Sequence, residues 1–181
     1  MKSMRWAGLL LVMPLLLGGT WKENGKPVPD TAWAKSDGDF GAELVFTDKP
    51  DELFAAWEKP GPVVYYSQTP TAFRGIPIVG VVFFTGCATD NNGNCQASVR
   101  FTATTPDGKP WGKPVDGELW INKPPPGEGQ MQLSLGNMGI VIDPGDPLGV
   151  YKVKAEIIDT IDKRKMVLER SFTAMESPKK K

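Results

Sequence analysis

The sequence predicts an all-β fold: an antiparallel two-sheet sandwich of seven to eight short strands with one short helix. Three observations carry that reading. Several stretches alternate strictly between apolar and polar residues, the period of a half-buried strand. In Gln96–Thr104, for example, Ala97, Val99, Phe101 and Ala103 fall on one face and Gln96, Ser98, Arg100, Thr102 and Thr104 on the other. Turn signals made of Gly, Pro, Asp and Asn recur at the spacing of a sandwich. The 181 residues, 40% hydrophobic and 23% charged, form no repeat and suit one globular domain behind a leader.

The elements follow in order. Met1–Thr20 reads as a signal peptide, with Lys2 and Arg5 ahead of an apolar run, Ala7–Leu17, that is too short to span a bilayer. Residues 21–39, broken by Pro27 and Pro29, read as an N-terminal arm that is ordered only if Trp33 docks. The sandwich is expected over 40–174. Phe40–Phe46 alternates and is its first strand. Asp48–Trp57 is the helix: Asp48 suits a cap, Pro50 the first turn, and Asp51 and Glu52 the positive end, with Leu53, Ala56 and Trp57 on one face. Val63–Ser67 reads as a short strand.

Ile76–Phe84 is apolar on both faces, which means a strand covered on both sides or partly an interface. It is expected to pair with Gln96–Thr104 as the central hairpin, its tip being Asp90-Asn-Asn-Gly-Asn94, residues that tolerate positive φ. Cys87 and Cys95 flank that tip and are the only cysteines, so a disulfide closes it. Trp111–Ile121 contains a strand with Leu119 and Ile121 opposite Glu118 and Trp120. An extended loop follows at Lys123-Pro-Pro-Pro126. Met131–Leu135 alternates, Asn137–Ile142 pairs or crosses over, and Tyr151–Ile158 and Met166–Phe172 form a last hairpin. Residues 175–181 are a basic tail.

Asp146-x-x-Gly149-x-Tyr151, just before an alternating strand, resembles the tyrosine corner of immunoglobulin-like sandwiches, which implies that style of fold. The cysteine that such domains carry two residues after the tyrosine is here Val153, so their inter-sheet disulfide is missing. The chain also resembles uncharacterised secreted bacterial β-sandwich proteins with a Gly-Cys-x7-Cys hairpin (Gly86 to Cys95) and an Asp-Pro-Leu-Gly-x-Tyr corner. That resemblance implies no activity.

Histidine is absent. Ser-His-Asp and Cys-His hydrolases, histidine-ligated zinc and histidine acid–base catalysis are therefore excluded. Paired carboxylates, lysine and tyrosine remain available. Without Lys2 and Arg5 the chain carries 19 basic against 21 acidic groups, and a mildly acidic body argues against nucleic acid. Asp90, Asn91, Asn92 and Asn94 offer oxygens to calcium, but one carboxylate is few, and a polar turn is the preferred reading. Asp143 and Asp146 read as turn formers. Trp111 and Trp120, with Tyr65 or Tyr66, are candidates for an aromatic ligand platform, against the alternative that they fill the core. No cofactor is expected. The expected function is a secreted or periplasmic, non-enzymatic binding or protein-interaction module. Its expected partner is another extracytoplasmic protein, with no membrane span after leader removal. Two rivals are a carbohydrate-binding module using Trp111 and Trp120, and an enzyme working through carboxylates or lysine.

Overall fold

The computed structural model describes residues 22–23, 26–59, 66–127 and 130–178. The leader at 1–20, Val63–Tyr65 and Lys179–Lys181 lie outside them. Along the chain run β1 (Lys22–Glu23), β2 (Lys26–Pro27), β3 (Ala34–Asp37), β4 (Phe40–Thr47), α1 (Pro50–Trp57), β5 (Thr71–Phe73) and β6 (Ile78–Thr85). Then follow β7 (Cys95–Thr104), β8 (Pro110–Lys123), β9 (Gln132–Leu133), β10 (Met138–Ile140), β11 (Gly149–Asp159) and β12 (Lys165–Met175). The described chain is mostly β, in two five-stranded sheets beside the small β1–β2 pair. The first sheet has the order β10-β6-β4-β3, with β9 also pairing β6, and curls into a half-barrel. The second has the order β5-β12-β11-β7-β8. Every pairing is antiparallel except β5 with β12, which is parallel.

Burial follows the sequence periods. β7, β11 and β12 send alternate residues into the main core, among them Val99, Phe101, Tyr151, Ile157, Leu168 and Phe172. β4 and β6 are buried on both faces. Phe40, Leu44, Phe46, Ile78, Val82 and Phe84 face the main core, while Val45, Val81 and Phe83 face a second cluster under α1. The helix closes that cluster with Leu53, Phe54 and Trp57. Its N-cap is Lys49 rather than the expected Asp48, whose carboxylate instead accepts from Ser67 Oγ at 3.1 Å.

The structure corrects the central hairpin. β6 lies in the first sheet and β7 in the second, and they do not pair. Residues 86–94 instead arch from one sheet to the other. Gly86 starts the arch at φ 59°, and a Cβ there would sit 2.3 Å from the Asp39 carbonyl oxygen, so only glycine fits. Three smaller corrections follow. Ala34–Asp37, expected within the arm, is an edge strand on β4. Tyr66 and Ser67 form no strand, and the strand of that region is Thr71–Phe73. In β8, Ala97 pairs Trp120 and Ser98 pairs Glu118, leaving Leu119 as an extra residue in a bulge. The bulge breaks the expected alternation, so that Leu119 and Trp120 both touch the main core.

The chain closes both flanks between the sheets. On one side Leu44 N–H donates to the Trp33 carbonyl (2.8 Å) and Glu169 N–H to the Ala32 carbonyl (2.7 Å), so residues 32–33 join β4 to β12. Residues 69–70 do the same, with Thr69 N–H donating to the Phe46 carbonyl (3.0 Å) and Thr173 N–H to the Pro70 carbonyl (2.8 Å). On the other side Ser134 and Gly136 bond β6 and β8 through the carbonyls of Val82 (2.8 Å) and Glu118 (2.7 Å).

Candidate functional site

Cys87 and Cys95 form the disulfide that the sequence predicts, with Cα atoms 5.8 Å apart. Because it lies within the arch, it fixes the passage between sheets rather than stapling two paired strands. Asp90, Asn92 and Asn94 come together as a turn. The Asp90 carboxylate accepts the backbone N–H groups of Asn92 (2.8 Å) and Asn94 (3.0 Å), which hold its pKa below the ordinary aspartate value. One oxygen of the carboxylate, Oδ1, thus serves the turn itself. Among the described residues, no group of three or more acidic or cysteine side chains is arranged to hold a metal. Ala88 N–H donates to the fully buried Asp159 carboxylate at 2.7 Å, which ties the arch to the β11–β12 turn. Arg164 approaches the same carboxylate and bonds Asp39 Oδ1 at 2.7 Å.

At the opposite end, the Tyr151 hydroxyl donates to the Pro147 carbonyl at 2.7 Å. Its ring stacks on Phe172 (5.2 Å between centroids) and meets the edge of Trp111 (5.0 Å), and burial pushes the phenol pKa up. The Asp146 carboxylate accepts Asp143 N–H at 2.9 Å, so this pair forms the turn that leads to the corner. Gly149 takes φ 128°, and a Cβ there would press to 3.1 Å against Pro106, which accounts for glycine at that position. Arg74 gathers the corner by donating to the Asp143 and Asp146 carbonyls and pairing with Glu176 at 3.0 Å.

Trp111 and Trp120 do not make a shared platform. They pair with Ala103 and Ala97, six positions apart on β7, which separates them by about 20 Å at strand rise. Each is half-buried against the core, Trp111 on Tyr151 and Trp120 on Phe84 at 5.9 Å. The Trp120 indole N–H is spent on the Pro124 carbonyl at 2.8 Å.

Two further places stand out. The first is a polar cluster in the flank where residues 32–33 and 69–70 cross. Arg170 occupies an inward position of β12, between Leu168 and Phe172, and donates to the Leu44 carbonyl (2.7 Å) and Gln68 Oε1 (2.9 Å). Its guanidinium lies over the Trp33 ring and 3.7 Å from Glu43. Tyr66 accepts from Gln68 Nε2 at 3.0 Å. Burial raises the Glu43 carboxyl pKa despite Arg170, and burial together with the Glu43 charge raises the Tyr66 phenol pKa.

The second place is on the outer face of the second sheet. Tyr151, Phe172 and Ala174 point inward, so Val150 and Met175 point outward, and Leu148 precedes the Gly149–Ala174 pair. Leu148, Val150 and Met175 are 43%, 52% and 47% exposed. The rest of that face is mostly polar, with Lys152, Lys154, Glu156 and Glu169 in successive rows, though Ile158 and Val167 also face outward, half-buried, at its far end.

No family model matches the chain, and no curated protein matches it in sequence. Among solved structures it is similar to a family 123 glycoside hydrolase from Clostridium perfringens, described in work on glycolipid glycan hydrolysis. The identity is 8% and the TM-score 0.45, over 77% of this chain and 28% of that one. The chain thus spans little more than a quarter of the enzyme's length, and a likeness at that level carries no argument about activity.

Neither Glu43 nor the three inter-sheet arginines, Arg74, Arg164 and Arg170, stands out from local motifs. One signal was available. Arg170 shares the inward parity of Met166, Leu168, Phe172 and Ala174, and a charged residue on that parity must reach a flank or a partner.

Proposed function

We propose that this chain acts outside the cytoplasm as a non-enzymatic protein-interaction module built on an immunoglobulin-like sandwich. Its contact face is the corner end of the second sheet. The observation that carries the reading is the exposed Leu148–Val150–Met175 cluster at the corner end of a mostly charged and hydroxylated face, on which Ile158 and Val167, at the far end, are half-buried. Apolar side chains gathered at one end of a polar face favour association, because covering them removes apolar area from water. Lys152, ion-paired with Glu169 at 3.7 Å, and Lys154 follow in the next rows, so the partner suited to this face presents an apolar segment beside a carboxylate. Extracytoplasmic placement is supported by the disulfide and by the basic, then apolar, start of the chain. Among the described residues no helix is long and apolar enough to cross a membrane. The hydrogen bond from Tyr151 to the Pro147 carbonyl supports the immunoglobulin-like reading of the corner.

Position-specific photo-crosslinking in producing cells tests this. A photoreactive residue at Val150 should capture one discrete partner, and the same probe at Asn91, on the arch tip, should not. Equal capture from both positions, or none from Val150, would overturn the assignment.

A further inference from the structure

We infer that the flank beside α1 is a binding site for a neutral polyhydroxylated ligand, a mono- or oligosaccharide, with Glu43 and Tyr66 as its polar contacts.

The site begins with an aromatic floor. Glu43 stands directly across the β4–β6 ladder from Phe83. Phe83 is fully buried, and the half-buried rings of Tyr66 and Trp57 lie on it with centroids 4.9 and 5.2 Å away. A half-exposed aromatic surface of this kind accepts the C–H face of a sugar ring with little loss of conformational freedom.

Two polar groups at this floor have unused capacity. The Glu43 side chain is only 25% exposed, yet its carboxylate accepts no hydrogen bond among the described residues. The nearest cation, Arg170 Nη1, is 3.7 Å away, beyond hydrogen-bond length. That nitrogen already donates to the Leu44 carbonyl, and Nη2 donates to Gln68. The Tyr66 hydroxyl accepts from Gln68, and its own proton reaches no acceptor among the described residues. Neither Glu43 nor Tyr66 is fully buried, so both polar groups stay open to a ligand from the solvent side. The raised pKa of both groups agrees with their partial burial.

The unused capacity therefore comprises one acceptor and one donor, both beside Phe83 and near enough for the Glu43 charge to act on the phenol. A hydroxyl both donates and accepts, so neighbouring sugar hydroxyls satisfy both groups at once. The Glu43–Arg170 pair carries no net charge, so it offers neither a cation nor an anion an advantage over a neutral ligand. Gln68 and Arg170 act as positioning residues, because the first orients the phenol and the second holds Gln68 and the β4 backbone. The site lies on the outer side of the first sheet, away from the corner face, and does not depend on the protein-contact reading.

Saturation-transfer NMR on the mature protein tests this, using glucose, galactose, N-acetylglucosamine, cellobiose, lactose and chitobiose as probes. Transfer to at least one probe is expected. Tyr66→Phe keeps the ring and removes the hydroxyl, and should weaken binding roughly five- to ten-fold, as the loss of one hydrogen bond does. Trp111→Phe should leave transfer unchanged. Absence of transfer from every probe, or transfer that survives Tyr66→Phe intact, or transfer lost in Trp111→Phe, would overturn the site. Coincident urea midpoints for wild type and Tyr66→Phe establish that the variant is folded.

Discussion

The outer faces of the two sheets are treated in opposite ways. The first sheet is covered: α1 lays Leu53, Phe54 and Trp57 over Val45, Val81 and Phe83, so β4 and β6 are buried on both faces except at Glu43 and Val79, which are half-buried. The second sheet is bare, and its outward residues include Lys152, Lys154, Glu156, Arg100 and Asp116, with Ile158 and Val167 half-buried among them; at the corner the exposed Val150, Leu148 and Met175 interrupt the polar pattern. Apolar residues on a covered face are explained by folding. On a bare face the fold does not require them, so the corner cluster is where association belongs.

The largest expected effect probes the covered face. Phe83→Ala empties a fully buried position under the helix and should cost about 3–5 kcal/mol, read from chemical denaturation. A cost below 1 kcal/mol would mean that α1 rests only loosely on the sheet. The link between the sheets comes next. Replacing Cys87 and Cys95 by serine should leave a folded protein that is about 2.6 kcal/mol less stable, by loop-closure entropy for a nine-residue loop. Two reactive thiols in native material would remove the structural role of that bond. Beneath the bare corner, Tyr151→Phe should cost about 1 kcal/mol, the net value of one hydrogen bond to Pro147.

Glu43 should act with the opposite sign. Its folded pKa is raised from 4.5, chiefly by burial, so the folded state holds the proton more tightly than the unfolded chain. The stability this contributes is present below the unfolded pKa and lost as pH rises through the folded pKa. Glu43→Gln should therefore be more stable than wild type at pH 7, with the difference fading under acid; urea midpoints at the two pH values check it. A carboxylate kept at a cost to stability fits a residue retained for binding. Val150→Ser should change stability least, by no more than about 0.5 kcal/mol, as expected for an exposed side chain. A larger loss would place Val150 among the residues that hold the fold.

Much of this contrast was legible in the sequence, because alternation counts covered faces. Ala97–Ala103 and Tyr151–Ile157 announce one buried face, and Ile76–Phe84 announces two, although Ile76 itself lies before the strand and is exposed. What alternation does not give is the partner strand, and there the hairpin reading went wrong. The Asp90–Asn94 tip supplies a tight turn whether the chain returns along the same sheet or crosses to the other. The clue lay in the strands themselves: β6 is apolar on both faces while β7 alternates, and adjacent strands of one sheet share the same two environments. The Cys87–Cys95 bond follows from composition and spacing. The flank cluster does not, since Glu43, Tyr66, Gln68 and Arg170 come from distant positions, and only the crossings at residues 32–33 and 69–70 bring them together.

Methionine oxidation tests the contrast between the two faces most directly, because the protein carries its own controls. Met175 and Met131 are 47% and 41% exposed, while Met138 and Met166 are 4% and 6% exposed. Dilute hydrogen peroxide should convert the first two to sulfoxides in the purified protein and spare the others. In intact producing cells Met175 should become protected while Met131, away from the corner, still oxidises. Oxidation of Met175 as fast as Met131 in both settings would contradict a partner on the bare face.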